Sequence, residues 1–355
     1  MVPCSRTLGP RPPYRVPMRH KLQLRCFSPM NEGLRRSIGF RVLLVDGGGS
    51  VAAHRDEVPL TRHLRQARPE LVLGFASALF YAALSLVRHM RFESGLDLAI
   101  FDQAVAGYAA GTMPYSDIKA VQPFNLLGDH FSPIIAVLAP LYRIWPHAEL
   151  LLLAQAALFG LSVGLVTRIA RRSHAALASA LIGSAFMLSR GPMDAVTFDF
   201  HEVAFAVPLL IWAIDSLSRQ HLGQAAIASG LLMLVKEDSA FLLVGIGLWL
   251  LAERRLRPGV AWTLGGVASF GLVVLVIIPI FSFYGRYTYL DPGSIHAEGL
   301  IDALAAFTVN AIRGLASWNF VVMVVALLAP TLGRAVLSPI LLVAVPAVAA
   351  RLALP

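Results

Sequence analysis

Nine apolar runs occupy most of the chain beyond residue 68, at 69–87, 131–146, 148–167, 174–190, 203–217, 222–252, 260–282, 316–333 and 335–351. Most approach the ~20 residues an α-helix needs to cross the hydrocarbon core of a bilayer. A water-soluble domain has no place to bury so much apolar side chain, and the composition agrees, with 57% hydrophobic against 14% charged residues. The chain therefore reads as an all-α, polytopic membrane protein.

Charge sets the expected topology. Clusters at Arg62/Arg65/Arg68, Arg168/Arg171/Arg172, Arg219, Arg254/Arg255/Arg257 and Arg334 all belong in the cytoplasm by the positive-inside rule. Between any two of them the number of crossings is even. Three apolar runs separate Arg68 from Arg168, so one does not cross. The short run 131–146, which contains Pro133, Pro140 and Arg143, is read as lying in the outer interface. One long run separates Arg219 from Arg254, broken by Lys236-Glu237-Asp238. It is read as two short crossings with the charged triplet at their outer tip, because charge at the bilayer centre is expensive. The expectation is about nine transmembrane helices within residues 69–355, amino terminus inside, with a long first outer loop at 88–130. Only positive charges entered that assignment, yet it puts fourteen of the seventeen carboxylates beyond residue 68 outside; Glu70, Asp215 and Glu253 are the exceptions.

Residues 1–68 hold thirteen Lys/Arg against four Asp/Glu, which accounts for the whole formal net charge of +9. The positive charge belongs to a tail and not to a basic binding surface, so nucleic acid is not an expected partner. Pro10-Arg11-Pro12-Pro13 and Gly47-Gly48-Gly49 interrupt the tail without a regular period, which reads as disordered and cytoplasmic. Cys4 and Cys26 both lie there, leaving no pair for an outer disulfide. Val42 to Gly49 looks like a strand entering a phosphate loop, but no Lys or helical pattern follows where such a loop needs it.

The outer loops carry the polar chemistry. In 88–130, Leu98, Phe101, Val105 and Tyr108 make an apolar stripe on a helix able to lie on the membrane surface. Asp97 stands at its amino end, either as a helix cap or as a carboxylate held ionised for base or metal chemistry. The loop ends in Gly128-Asp129-His130-Phe131-Ser132-Pro133, where Asp129 and His130 suit a divalent cation or an acceptor hydroxyl, or else cap the next segment. Asp199-Phe200-His201-Glu202 precedes the run 203–217. It offers a cation site, a proton path, or ordinary interface polarity. Lys236 sits at head-group level and suits a lipid phosphate; the alternative is a solvated tip. Arg286, among Tyr284, Tyr287 and Tyr289, offers a second cation for that phosphate or a sugar-stacking surface, although tyrosine belts are usual at interfaces.

Four phrases bear a resemblance to a bacterial family of predicted membrane proteins. They are Asp97-Leu98-Ala99-Ile100-Phe101-Asp102-Gln103, Gly128-Asp129-His130-Phe131-Ser132-Pro133, Phe198-Asp199-Phe200-His201-Glu202 and Lys236-Glu237-Asp238, in order across residues 90–285. With one early span, a large acidic outer loop, an interfacial Pro-containing segment and a span ending Ala170-Arg171-Arg172, the layout also resembles the GT-C superfamily of membrane glycosyltransferases. That resemblance implies a polyprenyl-phosphate sugar donor, used without nucleotide on the outer side of the bacterial plasma membrane. It maps the superfamily's loop acid onto Asp97, which would deprotonate the acceptor or hold a divalent cation (Mg or Mn). Lys236 falls where related transferases place a Lys near the donor phosphate. Asp102, His130, His201 and Glu202 are carried over as motif positions. Asp97 is followed by Leu98 and not by a second acid, so a two-carboxylate metal site would draw on Asp102 or a distant partner.

The expected function is inverting transfer of a sugar from that lipid donor to an envelope acceptor, with Asp97 and Asp102 as catalytic carboxylates. Two other classes compete, a transporter or lipid flippase and a non-catalytic membrane scaffold. A transporter calls for ionisable or polar groups deep in the spans, for which Asp215 and Gln155 are the places to look. The transferase reading predicts that Asp97, His130, His201 and Lys236 meet at one cavity open to the lipid.

Overall fold

The structure is a computed structural model that describes residues 68–120 and 124–290 together with positions 343 and 346. The tail before Arg68, the carboxylates Asp291, Glu298 and Asp302 expected on the outer side, and almost all of the runs 316–333 and 335–351 lie outside the described residues.

Helix α1 spans Pro69–Met90. Pro69 fits the first turn, whose N–H groups have no helical acceptor, and Glu70 faces the positive end of the helix dipole. The helix closes with Phe92 N–H donating to His89 O at 3.0 Å and Glu93 N–H to Arg88 O at 3.1 Å, with Phe92 at φ 57°. This is a Schellman ending built without glycine. Gln220 (φ 63°) and Arg254 (φ 59°) end two later helices in the same way.

Helix α2, Leu96–Ala109, follows after Gly95. Its stripe does not face a membrane surface. Leu98, Phe101 and Val105 are buried, as are Ile100 and Ala104, and they pack with Ile135, Leu138, Leu151 and Phe200. The expectation of a surface-lying helix is corrected here for a physical reason. The apolar arc of α2 is wider than one stripe, and the segment 131–146 covers it, so each removes the other's apolar surface from water or head groups. That segment is a 3-10 turn, Pro133–Leu138, running into α3, Ala139–Ile144. At twelve residues the stretch is too short to cross a bilayer. A small antiparallel hairpin, β1 Tyr115–Ser116 with β2 Phe124–Asn125, bridges the two elements.

Helices α4 (Glu149–Ala170), α5 (Ala176–Met187), α6 (Arg190–Phe198), α7 (Ala206–Ser218), α8 (Leu222–Leu232), α9 (Ser239–Ala252) and α10 (Leu256–Phe281) complete the described bundle. Three helices among the described residues, α1, α4 and α10, are long and apolar enough to cross a membrane. The protein is therefore a mostly helical, membrane-type fold. Helices α1 and α4 touch backbone to backbone: a Cβ at Gly160 would lie 2.6 Å from Gly74 O, and one at Gly164 would lie 2.9 Å from Glu70 O. Gly160 and Gly164 form the small-xxx-small spacing that lets membrane helices approach this closely. The long run 222–252 divides at Lys236 as expected, but its halves pack mainly outward, α8 on α7 and α9 on α10. In α10 a π-helical turn, Val273–Ile277, precedes Pro279. A regular turn would drive the Pro279 ring into the Leu275 carbonyl, and the wider turn makes room.

The helix ends sort into two layers. At one end Arg172 grips both carboxylate oxygens of Asp215, and Arg255 Nη1 donates to Leu217 O at 2.9 Å. At the opposite end the acidic and histidine motifs gather.

Candidate functional site

Three interhelical connections meet at that second end, and each is fixed by its own local bonds. Gln155 of α4, buried, holds the turn between α6 and α7: its Nε2 donates to Asp199 O at 2.8 Å and to Ala195 O at 3.2 Å, and its Oε1 accepts from His201 N–H at 3.0 Å. The turn is tied to α2 as well. Asp199 Oδ2 accepts the N–H of Gly95, the residue preceding α2. So the polar cap of α2 comes from Asp199, across the bundle, and not from Asp97. Burial pushes the Asp199 carboxyl above the usual carboxylate range despite the opposing Gly95 N–H.

The second connection begins with Asn125, whose Oδ1 accepts Leu127 N–H at 3.0 Å and so caps the 3-10 turn Leu126–Gly128. Gly128 is required by crowding, since a Cβ there would meet the backbone of Phe281 and Ser282 at 2.5 Å. Beyond it stand Asp129 and His130.

The third connection, between α8 and α9, carries Lys236 and Glu237. Glu237, buried, is the hub of the site. Its Oε1 lies 2.7 Å from His130 Nδ1 and accepts from Tyr287 O–H at 2.9 Å, and its Oε2 accepts Phe131 N–H at 3.0 Å. Burial alone would raise this carboxyl, but the His130 hydrogen bond and charge outweigh it and hold the group below the usual range. Lys236 Nζ lies 3.3 Å from Glu202 Oε1. Burial pulls the ammonium down, while the carboxylates of Glu202, Asp238 and Glu237 oppose it and the net shift is upward. Tyr289 O–H donates to Asp129 Oδ1 at 3.2 Å and its ring stacks on His130 with centroids 4.7 Å apart; Lys119 pairs with the other Asp129 oxygen.

These bonds enclose two adjoining cavities. The smaller, about 200 Å³, is polar and is lined by Asp97, Asp129, His130, His201, Glu202 and Lys236 among others. Asp97 Oδ2 lies 3.7 Å from His201 Nε2, and the Asp97 side chain is 41% exposed. The larger, about 660 Å³, is mostly apolar, with Phe159, Val207, Leu210, Ile211 and Phe241 in its wall. His130, Lys236 and Tyr289 border both. The four side chains expected to meet, Asp97, His130, His201 and Lys236, thus line one cavity.

Two candidates stand apart. Asp102 lines neither cavity; its Oδ1 accepts Tyr142 O–H at 2.8 Å. Five helical residues turn through about 500°, so Asp97 and Asp102 point about 140° apart and cannot act as a pair. Arg286 is exposed beside the site and also lines neither cavity. The divalent-cation expectation does not fit the side chains either. Among the described residues no three of His, Cys, Asp and Glu converge as ligands; Asp129 faces Lys119 and Tyr289, Glu237 faces His130 and Tyr287, and Glu202 Oε1 faces Lys236.

Sequence reasoning missed Glu237 as the hub, Gln155 as the clamp and Lys119 as the partner of Asp129. Glu237 and Gln155 are the buried ones, and a buried polar residue beside an apolar run is the signal that could have flagged them. Residues 88–354 match the DUF2079 family, described as a predicted membrane protein. No curated protein and no solved structure matches the chain.

Proposed function

We propose that this chain, which belongs to the DUF2079 family of predicted membrane proteins, is a multi-pass glycosyltransferase of GT-C type that draws a sugar from a polyprenyl-phosphate donor outside the bacterial plasma membrane. One observation carries this reading: Lys236 stands where a large apolar cavity meets a small polar one. A prenyl chain suits the first, a sugar suits the second, and the phosphate between them falls beside the ammonium. On this reading the chain crosses the membrane about nine times with its amino terminus in the cytoplasm, and the cavities open on the outer side.

The chemistry follows from charge. The acceptor oxygen attacks the anomeric carbon and inverts it. The bond to the phosphate oxygen breaks, and the polyprenyl phosphate leaves with the electron pair. Lys236 stabilises that developing charge in a site of low dielectric. The acceptor proton passes to a carboxylate of the polar cavity, Asp97 by the resemblance, with His201 beside it to hold its orientation. No step is routed through a metal ion.

A transporter would need ionisable side chains free to change state within spans. Asp215 is locked to Arg172 at a helix end, and Gln155 spends its amide on backbone groups, which favours the transferase. Deleting the gene and comparing lipid-linked sugars and envelope glycans tests the proposal. Accumulation of a glycosylated polyprenyl phosphate with loss of one glycan decoration is expected. Unchanged lipids and glycans would contradict it.

A further inference from the structure

Glu202 is 2% exposed and lines the small polar cavity, yet only one of its oxygens has a partner. Oε1 faces Lys236; Oε2 is buried with no hydrogen bond to the protein. A buried carboxylate oxygen left in that state costs free energy, so the site is built for a donor that arrives from outside, whether water or a ligand group. The other carboxylates of the cavity already face partners of their own. Asp129 is taken by Lys119 and Tyr289, and Asp97 faces His201. Glu202 Oε2 is the acceptor left over, and an O–H or N–H of a ligand fits it.

Shape narrows the class. The cavity, about 200 Å³, has room for several waters and so for one small ring. Phe101 and Tyr289 line the same cavity as Asp97, Asp129 and Glu202, and aromatic rings among carboxylates are the mixture that suits a ring with a C–H face and a hydroxylated edge. We propose that the small cavity seats a single monosaccharide ring and that Glu202 Oε2 accepts a hydrogen bond from one of its hydroxyl groups. Glu202 is then the specificity-determining residue of the site: Lys236 serves whatever phosphate lies at the junction, and Glu202 tests whether a hydroxylated ring is attached. The inference rests on the lipid-phosphate reading only in placing that ring next to the phosphate. The ring itself can come with the lipid or as a free acceptor sugar.

The test is equilibrium binding to the full-length protein in nanodiscs. The probes are bare polyprenyl phosphate, its glucosyl, mannosyl and arabinosyl esters, and the corresponding free methyl glycosides. A hydrogen bond to a charged acceptor predicts that the best glycosylated lipid binds about tenfold to a hundredfold tighter than the bare phosphate. Glu202→Met should bring that ratio to near one, and Glu202→Gln, which keeps an acceptor, should retain part of it. If the Glu202 dependence appears only with the free glycosides, the ring is the acceptor's. Should the wild-type protein bind bare and glycosylated lipid equally and no free glycoside, the inference about Glu202 is overturned while lipid-phosphate binding stands. Should no lipid phosphate or glycoside bind at all, both fall. The wild-type ratio decides the matter even if the Met variant does not fold.

Discussion

Glu237 Oε1 sits 2.7 Å from His130 Nδ1, two residues 107 positions apart in the chain that join the loop before α3 to the break between α8 and α9. The bond explains why the second and fourth sequence motifs belong to one site. It also makes the break rigid: with Phe131 N–H and Tyr287 O–H on the same carboxylate, the backbone that presents Lys236 has little freedom.

Removing that hub should therefore be costly. Glu237→Ala leaves His130, Phe131 N–H and Tyr287 without their shared acceptor, and loss of one member of a buried charged network costs about 3–5 kcal/mol. Thermal unfolding in detergent should show a large fall in Tm for Glu237→Ala. Exposed Arg190→Ala, whose ion pair with Asp194 is on the surface, should change it little.

Stability should also depend on pH in a defined direction. Glu237 is held below the usual carboxylate range in the folded protein, so its contribution is present above that range and lost as the pH falls through the depressed value. Asp199 is shifted the other way, so its carboxylate opposes folding once the pH has risen past its unfolded value and this opposition fades on acidification. Followed by thermal unfolding from mildly acidic to neutral pH, the stability of Asp199→Asn relative to wild type should rise steadily as the pH rises, because that substitution removes the opposing charge while an amide oxygen can still accept from Gly95. Glu237→Gln should flatten the acid limb.

Close helix packing gives a separate test. A methyl group at Gly160 would lie 2.6 Å from Gly74 O, whereas at Gly265 it would meet nothing within 4 Å. Gly160→Ala should destabilise by about 1–3 kcal/mol through overpacking, and Gly265→Ala should be neutral or stabilising by up to about 1 kcal/mol through helix propensity. Equal effects at the two positions would contradict the α1–α4 contact.

The orientation can be read by labelling. In a variant with Cys4 and Cys26 replaced by Ser, a cysteine at exposed Asp117 should react with a membrane-impermeant maleimide in intact cells, and one at exposed Gln220 should react only after lysis. The reverse pattern would turn the proposed topology over.

Particular residues show how far the sequence could be read. The break at Lys236 was legible because three charges in an apolar run have few physical solutions. The meeting of Asp97, His130, His201 and Lys236 followed from helix-end sorting, since motifs at the same ends of successive helices are near one another by construction. The direction of α2 was not legible: a stripe looks the same against lipid as against protein, and only the tertiary contact with Ile135 and Leu138 decides. Asp102 lines neither cavity, and its place was not legible because closeness in sequence is not closeness around a helix. Glu237 was passed over beside the more conspicuous Lys236, and its role arises from partners such as His130 and Tyr287 that no local pattern links to it.

The central claim is that Lys236 meets a phosphate at the mouth of an apolar cavity. Binding of polyprenyl phosphate and of the uncharged polyprenol should be compared in nanodiscs for wild-type protein and Lys236→Met. We expect the wild type to favour the phosphate by tenfold or more, since a charge-assisted contact is worth about 1.5–3 kcal/mol, and the variant to lose that preference. Equal affinity of the wild type for phosphate and alcohol, or an undiminished preference in Lys236→Met, would contradict the account.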